Sequence, residues 1–177
     1  MKPLSAVKLF FANQEIGRLH RHILKVRKAR RNKETHRKVA RGILTLRTVL
    51  DSRFIVEYFY SDETETKQKA TKKLKEIIQH KEGVSPTIII SETIQTVSEQ
   101  IGKDEAEICY ANLTQSGLKI QSLTSAIAKE AGLLRSKHCN IPMGDCIIAA
   151  TALANGAKIS SDDPSFDCIR EIKRIWI

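Results

Sequence analysis

The chain has 177 residues, 41% of them apolar, and carries 30 Lys or Arg against 20 Asp or Glu, a formal net charge of +10. That length holds one ordinary domain plus an extension, and no apolar stretch approaches the ~18 residues that cross a bilayer, so a membrane span is excluded. The N-terminus carries charges but no uninterrupted apolar run of the kind that opens a secreted chain, which makes the cytoplasm the expected location.

Charge is placed unevenly. Residues 1–48 hold 14 Lys or Arg against only Glu15 and Glu34, a net +12, while the remaining 129 hold 16 basic and 18 acidic groups, a net −2. Composition breaks near Leu46. The chain therefore divides into a basic helical N-terminal extension, residues 1–45, and a compact acid-bearing domain, residues 46–177. In the extension Ile16, Leu19, Ile23 and Val26 recur at steps of three and four, one apolar stripe on a helix over residues 5–31. Arg18, Arg21, Lys25, Arg27 and Lys28 occupy its other faces, and a second basic helix follows over residues 34–44. Such a segment favours a polyanion, with RNA the expected one. A solvated helix face, a protein contact or an anionic membrane surface would explain the same composition.

Beyond residue 46 strands and helices alternate. Thr48-Val49-Leu50 reads as a strand, residues 53–60 as a helix rich in large apolar groups, residues 63–80 as a long charged helix, and residues 83–86 as a turn. The β-branched run Thr87-Ile88-Ile89-Ile90 reads as a strand covered on both faces, with Ser91 as the N-cap of a helix through residue 101. A helix over 103–114, a strand over 118–123 and a helix capped by Thr124 through residue 135 follow. Asp145 opens an Ala-rich helix that Gly156 ends, residues 157–160 form a short strand, and residues 172–177 form the last one. This alternation implies a parallel sheet with helices on both sides. Cys109, Cys139, Cys146 and Cys168 show no regular spacing and read as small buried side chains. A zinc site from His138, Cys139 and Cys146 matches no familiar pattern.

Ligands of an open parallel sheet sit beyond the carboxyl ends of its strands. Asp51, Glu92 and Asp163 each fall just after an expected strand, and Asp145 opens a helix facing the same edge. Four strand-edge carboxylates repel one another unless a cation lies between them, and the economical cation is divalent. Two ions about 4 Å apart would activate a water and stabilise the leaving oxygen of a phosphodiester, chemistry that needs no covalent nucleophile. Each acid also has a plainer reading. Asp51 would cap the following helix, Glu92 and Asp145 would face helix dipoles, and Asp162 and Asp163 before Pro164 would form a turn.

The segments V-L-D-S-R-F at Asp51, I-S-E-T at Glu92, D-C-I-I-A-A-T-A at Asp145 and S-S-D-D-P-S-F at Asp163 resemble the PIN-domain nucleases, most nearly the small VapC-like ribonucleases. The resemblance runs from about residue 46 to the last residue. It implies a three-layer α/β/α sandwich with a mostly parallel sheet, an endoribonuclease dependent on Mg²⁺ or Mn²⁺, a homodimer, and an antitoxin or other protein partner. By position, Asp51, Glu92, Asp145 and Asp163 become the metal-binding and catalytic acids. Ser161 matches the family's hydroxyl before the last acid, and Asp162 is the alternative register to Asp163. A PIN-like module that binds nucleic acid or protein without cutting is the other reading. Two departures stand out. About fifty residues precede the first acid, and Ser165 takes a position before Phe166 that is often acidic in the family.

Overall fold

The computed structural model describes residues 47–138 and 140–177; the basic extension expected over residues 1–45 lies outside the described residues, as does Cys139. In chain order the elements are β1 (Thr48–Leu50), α1 (Ser52–Tyr60), α2 (Thr64–Gln79), β2 (Gly83–Pro86), α3 (Thr87–Gln100), α4 (Lys103–Gln115), β3 (Lys119–Gln121), α5 (Ser125–Lys137), α6 (Met143–Asn155), β4 (Lys158–Ser160), a 3-10 helix (Pro164–Cys168) and β5 (Arg174–Ile175). All strand pairings are parallel, in the order β3-β2-β1-β4-β5. Helices flank the sheet, giving the α/β/α sandwich.

The core forms where the apolar pattern demands it. Val49 and Leu50 of β1, Ile159 of β4, Phe54 of α1, Ile89 of α3, Ile148 of α6 and Phe166 are fully buried around the sheet. Trp176 stands edge-on to Phe54, ring centroids 6.3 Å apart. The Ala-rich face of α6, with Ala149, Ala150 and Ala152 fully buried, lets that helix lie close against β1, β2 and β4. Gly156 ends α6 in the left-handed conformation, φ 59°, where a Cβ would be strained. The Thr124 side chain caps α5 by accepting from Ile127 N–H at 3.3 Å.

Three local expectations are corrected. Residues 83–86 are not a turn but β2, and Thr87–Ile90 is not a strand but the first turn of α3. The turn lies one step earlier, at Lys81 with φ 54°. Ser91 is accordingly a residue of α3 and no N-cap; Pro86 holds the N-cap position, its fixed φ of −62° suiting a strand that passes straight into a helix. Gly83 belongs in the strand because a Cβ there would collide with Leu118 and Ile77. The last strand contracts to Arg174–Ile175. Cys109 and Cys146 are buried as expected, whereas Cys168 is exposed, on the outer side of the 3-10 helix. No helix among the described residues is long and apolar enough to cross a membrane.

Candidate active site

The chain builds the sheet outward from β1 through β2 to β3, then returns to place β4 on the other side of β1. Strand order thus reverses between β1 and β4, and the crevice outside their carboxyl ends is where such sheets take ligands. Asp51 follows β1 and Ser161 follows β4 at that point, joined through the Asp51 N–H, which donates to Ser160 O at 3.2 Å. The Ser161 hydroxyl donates to Asp51 Oδ2 at 2.6 Å and accepts from Asp163 N–H at 3.0 Å. Asp51 Oδ1 accepts from Ser52 N–H at 2.7 Å, and Asp163 Oδ1 from Ser165 N–H at 2.7 Å. The plainer readings therefore hold as local geometry: Asp51 caps α1 and Asp163 caps the 3-10 helix.

Glu92 arrives by a different route from the expected one. It does not end a strand. It lies in the second turn of α3, and because β2 runs into α3 without a loop it stays near the same edge. The Ser52 hydroxyl lies within reach of both Glu92 and Asp51, and its single proton serves one carboxylate at a time. Glu92 also presses on the start of α6, since a Cβ at Gly144 would collide with Glu92 Oε1. Asp145 occupies the first turn of α6.

Electrostatics ties the four acids together. Burial raises the Asp145 carboxyl from 3.8 to about 6, helped by the charges of Asp51, Asp163 and Glu92. A helix N-terminus would pull the other way, by at most about 1–2 kcal/mol, so burial and like charge win. Burial likewise raises Asp51, against the lowering effect of its Ser161 and Ser52 bonds, and Asp162 adds to the rise. Glu92 is raised by burial and by Asp51. Asp51 is only 6% exposed. Asp162 differs from the rest: its carboxylate is neutralised by Arg53, Nε to Oδ2 2.9 Å.

Sequence reasoning missed three residues that shape this edge. Ser52 bridges Asp51 and Glu92, and its position directly after the first acid was the available signal. Arg53 sits at the rim on Asp162. Arg174 of β5 donates from Nη1 to Ser161 O and Asp162 O, both at 3.3 Å, and grips Asp167 through Nε at 3.0 Å and Nη2 at 2.7 Å. It staples the acid-bearing loop to the 3-10 helix. Nothing local in the sequence reveals this, because the contact depends on β5 lying beside β4.

Among the described residues no three His, Cys, Asp or Glu side chains form a ready ligand set for one ion. The donor chemistry nevertheless fits a hard divalent cation. The edge offers four carboxylates and a serine hydroxyl, with no thiol or imidazole in the cluster, and no basic side chain forms an ion pair with Asp51, Glu92, Asp145 or Asp163 among the described residues.

The PIN domain family model matches residues 48–172. No curated protein matches the chain. Among solved structures the chain is similar to VapBC2 from Rickettsia felis bound to a DNA fragment from their promoter, at 17% identity and TM-score 0.61, covering 73% of this chain and 97% of that one. It is similar to FitAcB from Neisseria gonorrhoeae at 20% identity and TM-score 0.58, covering 72% and 96%. It is also similar to VapC20 from Mycobacterium tuberculosis, a sarcin–ricin loop cleaving toxin, at 14% identity and TM-score 0.55, covering 69% and 94%. At these identities the likeness is one of fold.

Proposed function

We propose that this chain, which belongs to the PIN domain family, is a metal-dependent endoribonuclease that hydrolyses RNA phosphodiester bonds at the carboxyl edge of its sheet. The observation that carries the reading is the shared field of four acids at the β1–β4 switch point, strong enough with burial to raise Asp145 to about 6. Asp51, Glu92, Asp145 and Asp163 would hold Mg²⁺ or Mn²⁺. When bound, the cation supplies charge neutralisation at the phosphate and a water acidic enough to attack near neutral pH.

The chain's own residues do the positioning. Ser161 and the Ser52 N–H fix the Asp51 carboxylate from two sides, and the Ser165 N–H orients Asp163. Ser161 also ties the Asp163 backbone to Asp51, so the two strand-end acids keep their spacing. Burial of Asp51 keeps its charge from being screened by water. Asp162, held by Arg53, forms the rim beside them.

The fold shared with VapBC2, FitAcB and VapC20 supports a toxin-type enzyme with an antitoxin partner acting in the cytoplasm, with RNA processing as the other role and a homodimer as its form. RNA cleavage with Mg²⁺ or Mn²⁺ by wild type and by Asp145→Asn tests the reading, and equal cleavage by both removes it. A module that binds nucleic acid or protein without cutting is the second reading, favoured by the lack of a ready three-residue ligand set among the described residues. Calorimetric titration of Mg²⁺ or Mn²⁺ into wild type and Glu92→Gln separates the two.

A further inference from the structure

The opposite edge of the sheet gathers basic residues, with Glu82 beside them just before β2. Arg47 precedes β1, Lys158 begins β4 and Lys173 precedes β5. Lys158 pairs with Thr48, one residue past Arg47, so strand alternation turns Arg47 to the other face of the sheet. Ile159 pairs with Arg174, its N–H donating to Lys173 O at 2.9 Å, which sets Lys158 level with Lys173. Strands β4 and β5 are neighbours, so Lys158 and Lys173 stand about 4.8 Å apart in the pairing direction, on one face of the sheet. Lys73 of α2 adds a fourth cation. Burial lowers the Lys158 ammonium below its usual range, and the charges of Lys73 and Lys173 lower it further against a raising influence from Glu82. Among the described residues none of the four side chains forms an ion pair or hydrogen bond.

Crowding like charges around a half-buried lysine costs free energy that Glu82 offsets only in part. A phosphate would offset it. The acid edge, by contrast, repels a polyanion wherever cations do not cover it, so an enzyme that works there needs a grip elsewhere. The strands are three residues long or thereabouts, which separates the two edges by about 10 Å. A strand of a few nucleotides passing beside β5, the edge strand among the described residues, spans that distance. The large exposed apolar residues Ile101, Ile108, Tyr110, Leu123, Leu133 and Met143 all lie on or beside α3 to α6, away from these strand starts. The basic edge therefore lacks the apolar anchors that a membrane surface rewards.

We propose that Lys73, Lys158 and Lys173 form a docking surface for the phosphate backbone of RNA at the edge of the sheet opposite the acids. The choice of RNA over other polyanions rests on the ribonuclease reading above.

The test uses the full chain carrying Asp145→Asn, a labelled single-stranded RNA of mixed sequence, and anisotropy titrations over a range of NaCl. Each phosphate contact contributes about 0.7 to the slope of log K against log salt, so Lys158→Gln with Lys173→Gln lowers the slope by about 1.4. The Lys158→Arg, Lys173→Arg pair keeps it, which separates charge from folding. An unchanged slope in the glutamine pair, or equal loss in both pairs, overturns the proposal. Binding to phosphatidylserine vesicles with none to RNA overturns it as well. Cleavage by the chain with Asp145 intact is measured alongside. RNA held through the lysines but left uncut removes the ribonuclease reading alone, and cutting with an unaltered slope in the glutamine pair removes the docking surface alone.

Discussion

The acids that end strands and the acids carried on helices are held in different ways. Asp51 and Asp163 are fastened by Ser161, Ser52 and Ser165. Glu92 has only the Ser52 hydroxyl, and Asp145 no side-chain hydrogen bond among the described residues. One half of the cup is built into the hydrogen-bonded fabric of the sheet. The other half is held in place by helix packing while its charges push apart. Two of the bonds in the first half also cap helices, those from Ser52 N–H to Asp51 and from Ser165 N–H to Asp163; the second half stores repulsion that a counter-charge relieves.

The sharpest break in this comparison is Asp145→Asn. Activity on RNA should fall about 10²–10³-fold, the usual loss when a group stabilising transition-state charge is removed. The same change should raise stability in chelator at pH 7 by about 1 kcal/mol, the full shift being discounted because Asp145 is only partly buried. Thermal denaturation should show a midpoint about 3 °C higher; a lower midpoint would show that Asp145 is a structural cap. Ser161→Ala strikes the other half. It leaves Asp51 Oδ2 short of its donor and should cost about 1–3 kcal/mol by chemical denaturation, with activity lowered about tenfold.

Smaller effects sharpen the contrast. Arg174→Lys loses the two-pronged grip on Asp167 while keeping the charge, so kcat should drop several-fold with KM for RNA little changed. Gly144→Ala improves helix propensity by up to about 1 kcal/mol yet pushes the Glu92 carboxylate aside. Calorimetry should then find divalent-metal binding weakened with the melting midpoint unchanged or higher. Last comes pH. A carboxyl whose folded value is raised binds its proton more tightly in the folded state, so its contribution to stability is full at low pH and is lost as pH rises through the shift. For Asp145 that window runs from 3.8 to about 6. In chelator the stability of wild type should fall behind that of Asp145→Asn across this window, and a gap independent of pH would contradict the assigned environment.

Much of the edge was legible because strand-end acids announce themselves. A short apolar run followed by an acid, as in Thr48-Val49-Leu50-Asp51, reads the same in sequence and in structure. Glu92 shows the limit. The run Thr87-Ile88-Ile89-Ile90 has strong β propensity, yet it opens α3, with Ile89 in the core and Thr87 and Ile88 half-buried. β propensity measures how well a side chain packs on a half-buried surface, and a buried helix face offers the same reward. Gly83, Ser85 and Pro86 looked like turn residues. The real reason for Gly83 is the closeness of Leu118 and Ile77, a tertiary fact with no local trace. The acid was expected at the correct edge because the misplaced strand lay only four residues from the true one. Arg174 was invisible for a related reason, since its partners lie 7 to 13 residues away and meet it only when β5 joins the sheet.

The hydrogen bond from Ser161 to Asp51 joins positions 110 residues apart. During synthesis Asp51 leaves the ribosome long before its companion, and β1 waits with one flank unpaired until β4 can slot beside it. A nascent or prematurely terminated polypeptide lacking residues 158–163 has neither the finished centre of the sheet nor the last acid. On the ribonuclease reading, activity switches on only late in translation, and broken messages yield products without a complete acidic edge.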